Sequence, residues 1–144
     1  MGAQRSSSKA GVEQSNEVVM IWFWIGSGGA LGAVLRFYIA TSVGRSSVVG
    51  FPLGIFSVNV LGCALMGAVY VLIERLDLPE EFRFFLTVGL LGAFTTFSTF
   101  SLEVYELFVE GRSTVALAYM AATLFGCVLA LAAGVTAARW VLGH

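Results

Sequence analysis

The sequence predicts an all-α membrane protein with four transmembrane helices per subunit. Three observations lead there. The 144 residues are 58% hydrophobic and only 12% charged, with a mean hydropathy of +0.88, so they carry too little polar surface to coat a water-soluble globule of this size. Four apolar stretches, Val18 to Val43, Leu53 to Ile73, Phe84 to Phe108 and Thr114 to Leu142, each reach the roughly 20 residues that a spanning helix needs. The connections between them are too short for an independent folded unit, which leaves one membrane domain over residues 18–144 behind a polar, flexible tail over residues 1–17.

The first span holds Gly28 and Gly32, four apart on one helical face, where a second backbone can approach closely. Its apolar run is longer than the h-region of a signal peptide, so it is retained as a helix. The second span follows Pro52 and the third follows Pro79, positions where a missing N–H and a fixed φ suit a helix start. Asp77, Glu80 and Glu81 add acceptors and negative charge at the positive end of that third helix. The fourth span carries a small residue at every fourth position, Ala118, Ala122, Gly126, Ala130, Gly134 and Ala138. Because four residues overshoot a turn, that row winds around the helix, and more than one neighbour must cover it.

Charge placement is nearly even between the two sides of the membrane. With the distal tail set aside, Arg75, Arg83 and Arg139 stand on one side against Arg36, Arg45 and Arg112 on the other. The positive-inside rule then gives little preference, and insertion both ways round is as reasonable as a single orientation. Net charge is −1 with no cluster of Lys and Arg, which argues against a nucleic-acid partner. The one histidine is the terminal His144, and Cys63 and Cys127 lack metal-site spacing, so they read as buried reduced thiols. An enzyme is disfavoured, since the Ser/Thr residues have no histidine or lysine to activate them.

The third span is the unusual one. Gly92 to Ser101 reads Gly-Ala-Phe-Thr-Thr-Phe-Ser-Thr-Phe-Ser, and a lipid-facing helix has no need of so many hydroxyls. As one helix it sets Phe94, Phe97 and Phe100 three apart, with Thr96, Thr99 and Glu103 on an adjacent face. Phenyl rings have a positive edge, so rings presented edge-on favour an anion, as do hydroxyl donors. Packing rings and hydroxyls bonded back to their own helix would account for the same residues. Glycine with several Ser and Thr is also a composition at which a membrane helix breaks, and the carbonyls so freed suit a monovalent cation. Elsewhere in the spans, Asn59 offers two donors or a helix–helix hydrogen bond, and Arg36 either snorkels or draws anions to a vestibule. Glu103 is open to three roles: proton relay, cation partner, or partner to Arg36.

Gly29-Ala-Leu-Gly-Ala-Val-Leu-Arg36, Gly54 with Val58-Asn59, and the Gly92–Ser101 string together resemble the Fluc (CrcB-type) fluoride-channel family in order, spacing and span count. The resemblance covers essentially Ile21 to Leu142. It implies a multi-pass protein of the inner (plasma) membrane, built as an antiparallel, dual-topology homodimer with a broken third helix. The implied activity is passive fluoride export that relieves cytoplasmic fluoride toxicity. By the same resemblance Phe97 and Phe100 meet fluoride with their ring edges, Asn59 donates to it, and Arg36 stands at the vestibule. Ser98, Thr99 and Ser101 match polar pore positions, Glu103 a carboxylate near one end of the pore, and Tyr119, Thr123 and Cys127 a polar track. Gly92 and Thr95 match the residues whose carbonyls hold a structural Na+ at the dimer interface. Cys127 replaces a more usual hydroxyl, Ile55 a frequent Thr, and Ala93 a common Gly.

Fluoride is small and strongly hydrated, so removing its water costs tens of kcal/mol on a Born scale unless donors replace it. Ring edges, hydroxyls and a carboxamide would bind firmly enough for entry and weakly enough for release. The rival reading is a small four-helix, proton-coupled multidrug-type exporter using Glu103. Such a pump needs a carboxylate in the first span, where this chain has Arg36. A packing or assembly subunit without transport is the other alternative.

Overall fold

The computed structural model describes the backbone of residues 2–44 and 50–143, and side chains within those ranges from Glu17 onward. The side chains of the polar tail, including Arg5 and Lys9, and the whole of Arg45 and His144 lie outside the described residues. Helix α1 is Gly2–Gly44, α2 is Leu53–Arg75, and α6 is Ser113–Leu142. Between α2 and α6 the chain forms α3 (Glu80–Phe84), a π-helical stretch (Phe85–Leu91), α4 (Gly92–Phe94) and α5 (Phe97–Val109). Four segments are long and apolar enough to cross a membrane: Glu17–Gly44, Leu53–Arg75, Glu80–Val109 and Ser113–Leu142. Pro52 and Pro79 cap α2 and α3, as their place in the sequence predicts. The third helical run starts at Glu80 rather than Phe84, because Pro79 and the two glutamates open it before the apolar stretch begins.

Glycine contacts fix how the helices lie. A Cβ on Gly67 of α2 would strike the Leu131 carbonyl, and one on Gly134 of α6 would strike the Ala64 carbonyl. Gly126 faces Phe56 and Val60. Residue numbers rise together on the two helices, so α2 and α6 run parallel with backbones in contact. Of the small-residue row on α6 only part meets α2, and Ala118 remains exposed, as the winding of that row requires. The pair expected on α1 behaves likewise. Added methyls on Gly28 and Gly32 would meet the backbone at Phe85 and Leu90, and Gly89 lies against the Ile25 carbonyl. Close contact with α1 thus coincides with the π-helical stretch, whose wider turn shifts the register of the third span.

The enclosed core is small. Val58, Val71, Ala116 and Tyr119 are fully buried, while large apolar side chains such as Trp22, Phe37, Phe125 and Trp140 face outward. Hydrocarbon, not water, is the solvent that such a surface fits.

Candidate functional site

The helical path of the third span stops at Phe94 and resumes at Phe97. Thr95 (φ −78°, ψ 155°) and Thr96 (φ −150°, ψ 120°) between them are extended. Phe94 and Phe97 therefore do not share a continuous helical face, which corrects the expectation that Phe94, Phe97 and Phe100 form one row. Phe94 is buried against Gly62, whereas Phe97 is 79% exposed. The row survives only from Phe97 to Phe100, with ring centroids 5.5 Å apart.

Two extended peptides inside a membrane segment need partners. Asn59 on α2 supplies them. Its Oδ1 accepts the Thr96 N–H at 2.8 Å and its Nδ2 donates to the Thr96 carbonyl at 3.1 Å. That leaves one of the two amide hydrogens for another acceptor. The Thr96 hydroxyl caps α5 by accepting the Thr99 N–H at 3.3 Å, and it also bonds the Ser98 and Thr99 hydroxyls. In an uninterrupted α-helix the Thr96 N–H would go to the Gly92 carbonyl and the Thr99 N–H to that of Thr95. Both donors are engaged elsewhere, so these two carbonyls are released from helical bonding.

Beside this step lies a cavity of about 290 Å³, walled by Asn59, Thr95, Thr96, Phe97, Phe100 and Thr123 together with Cys63 and Cys127. No charged side chain lines it. The Thr123 hydroxyl is buried and has no hydrogen-bond partner among the described residues. One step further along α5, Tyr119 donates to Glu103 at 2.6 Å, and its ring packs on Phe100 at 5.0 Å and Phe51 at 5.2 Å. Glu103 opens to a second cavity that it shares with Glu106, Glu110 and Arg112.

Of the residues singled out in the sequence, Asn59, Thr95, Phe97, Phe100 and Thr123 meet in one cavity. Ser98 and Thr99 join through Thr96, and Tyr119 pairs with Glu103. Ser101 is exposed, and its proton goes to the Phe97 carbonyl, the back-bonded alternative for a hydroxyl on a helix. Gly92 is exposed beside the step, and half-buried Arg36 stands on α1 away from the cavity wall. Glu103 takes Tyr119, not Arg36, as its partner. Sequence reading placed Thr96 on the hydroxyl face without its role as the N-cap of α5, and it missed Phe51, which carried no signal. It also took the cysteines as buried in the interior, whereas both are half-buried and line the cavity.

A family profile described as "CrcB-like protein, Camphor Resistance (CrcB)" matches residues 23–135. A protein of Magnetococcus marinus named "Fluoride-specific ion channel FluC" is 42% identical over 119 residues, covering 82% of this chain and 97% of that protein. A protein of the same name from Chelativorans is 43% identical, covering 80% of this chain and 93% of its own length. The Deinococcus radiodurans protein of that name is 42% identical over 83% of this chain and 96% of itself.

Proposed function

Since this chain belongs to the CrcB-like family and is a multi-pass membrane protein, we propose that it is a fluoride channel that lets the ion leave the cell passively and so limits its toxicity. The observation that carries this reading is the cavity beside Thr95–Thr96. Phe97, Phe100, three threonines and the Asn59 carboxamide line it beside Cys63, Cys127, Leu124 and Val128, and among the described residues no charged side chain does. Phe97 and Phe100 would offer phenyl rims, Asn59 keeps one amide hydrogen, and Thr123 has a hydroxyl with no partner among the described residues. Each replaces part of the ion's water without a cation that would hold it. The start of α5 adds the positive end of a helix dipole inside the membrane.

The functional unit is an antiparallel, dual-topology homodimer. Phe97, Ser98 and Ser101 are exposed on one chain, and hydroxyls facing lipid are unfavourable, so a second copy covers that face. The even distribution of arginines supports insertion in both directions. We read the Thr95–Thr96 step as the break of the third helix, with the released Gly92 and Thr95 carbonyls as oxygen ligands for a structural Na+ at the dimer interface. Carbonyl oxygens fit a hard monovalent cation. When bound, Na+ would neutralise the carbonyl dipoles and tie the two broken helices together. Arg36 draws fluoride to the vestibule, and Glu103, its carboxylate bonded by Tyr119, stands toward one end of the path.

Fluoride efflux from liposomes tests the reading with Phe97→Ile, Phe100→Ile and Asn59→Asp. Full conduction by all three refutes it. Flux that requires a proton gradient would favour the exporter instead, although Glu103 held by Tyr119 and an arginine in the first span speak against that mechanism.

A further inference from the structure

Cys63 on α2 and Cys127 on α6 both stand on the cavity wall. Their alignment follows from helix register. Gly67 rests on the Leu131 backbone, and the two helices run parallel, so one turn back on each brings Cys63 level with Cys127. Both thiols are free and face the same cavity. A second feature of the same wall points to a ligand. Thr123, one turn from Cys127 on α6, is 7% exposed, lines the cavity and has a hydroxyl with no partner among the described residues.

Ligand chemistry narrows what could bind. Among the described residues no group of three or more His, Cys, Asp or Glu side chains converges, so a four-coordinate zinc site has too few donors. Two sulfurs suffice for a soft d¹⁰ ion, for which two-coordinate thiolate binding is ordinary and which soft ligands select. A divalent ion of that type has a further advantage in the membrane, since the bis-thiolate complex is neutral. We infer that Cys63 and Cys127 form a paired-thiol site that captures one soft, two-coordinate metal ion of the mercuric type within a single chain. Each thiol gives its proton to water, two S–metal bonds form as the two ligands the ion arrives with, water or chloride, leave, and no electrons are transferred.

The test uses mercuric chloride on the reduced, purified full chain in detergent, followed by the thiolate-to-mercury charge-transfer absorption in the ultraviolet. One metal per chain should saturate the signal, and both thiols should disappear from a maleimide titration at that point. Cys63→Ser and Cys127→Ser should each lose about 100-fold or more in affinity against a competing thiol, the loss expected when a two-point attachment becomes a single one. Two metals per chain without a one-to-one plateau, or single variants that compete as well as the unmodified chain, would overturn the site. So would recovery of full capture on mixing the two single variants, which would place the bridge between chains. Capture is read without ion flux, so failure of the fluoride reading leaves this result distinguishable. In liposomes that conduct, the metal should lower flux and a dithiol chelator restore it.

Discussion

Replacing Asn59 by Ala isolates the contact that holds the extended step. The substitution removes both hydrogen bonds to Thr96, at 2.8 and 3.1 Å, from a peptide group that is 93% shielded from solvent on its own residue's count. Each buried backbone group left unsatisfied costs about 1–3 kcal/mol, so the pair amounts to roughly 2–6 kcal/mol. Side-chain hydrogen bonds between membrane helices average only about 0.6 kcal/mol, because the separated helices find other partners. Here the extended dihedrals leave Thr96 no helical alternative, and the larger figure applies. The assay is the midpoint of reversible unfolding in detergent, with flux measured on the same preparations. Asn59→Asp should destabilise at least as much, since it keeps the acceptor for the Thr96 N–H but sets a buried carboxylate oxygen against the Thr96 carbonyl in place of the donor. If Asn59→Ala unfolds within about 0.5 kcal/mol of the original, the clamp is not what holds the step, and Asn59 serves the ion alone.

Three further outcomes follow from the same structure. Gly32→Ala and Gly134→Ala place a methyl against a neighbouring backbone and should each destabilise by about 1–3 kcal/mol, while Gly26→Ala, with nothing within 4 Å, should be neutral or slightly stabilising by the same melting assay. Thr96→Val keeps the shape and removes the cap of α5, so its melting midpoint should fall by about 0.5–2 kcal/mol equivalents, with flux falling as Ser98 and Thr99 lose their anchor. Tyr119→Phe removes the donor to Glu103 and should cost about 1.5–3 kcal/mol, whereas Glu103→Gln, whose carbonyl still accepts from Tyr119, should keep most of that stability.

How much of this was legible follows the distance over which each feature is encoded. The spans, the proline-led starts of α2 and α3, and the close approach at Gly28 and Gly32 are written in composition and local spacing, and the sequence is enough to read them. The decapeptide after Gly92 marks itself by its hydroxyls and rings. Which residues leave helical dihedrals is another matter, because the partner that satisfies Thr96 lies 37 residues earlier on a different helix. The pairing of Glu103 with Tyr119, 16 residues apart, and the meeting of Cys63 and Cys127 on one cavity wall depend on the register of packed helices, which no local pattern specifies. Phe94 shows the cost of assuming regularity: two extended residues turned it from the pore row into the interior.

The parallel contact of α2 with α6 sets a constraint on biogenesis. The second segment leaves the ribosome with Gly67 bare, and the surface that fits that glycine is made last. By contrast α1 can seat itself on the π-helical stretch as soon as the third segment emerges. Chains truncated before Ser113 should therefore keep α2 on α1 at Gly54 and on Thr96 through Asn59, yet leave the Gly67 face uncovered, and the final helix acts as the latch that completes the subunit.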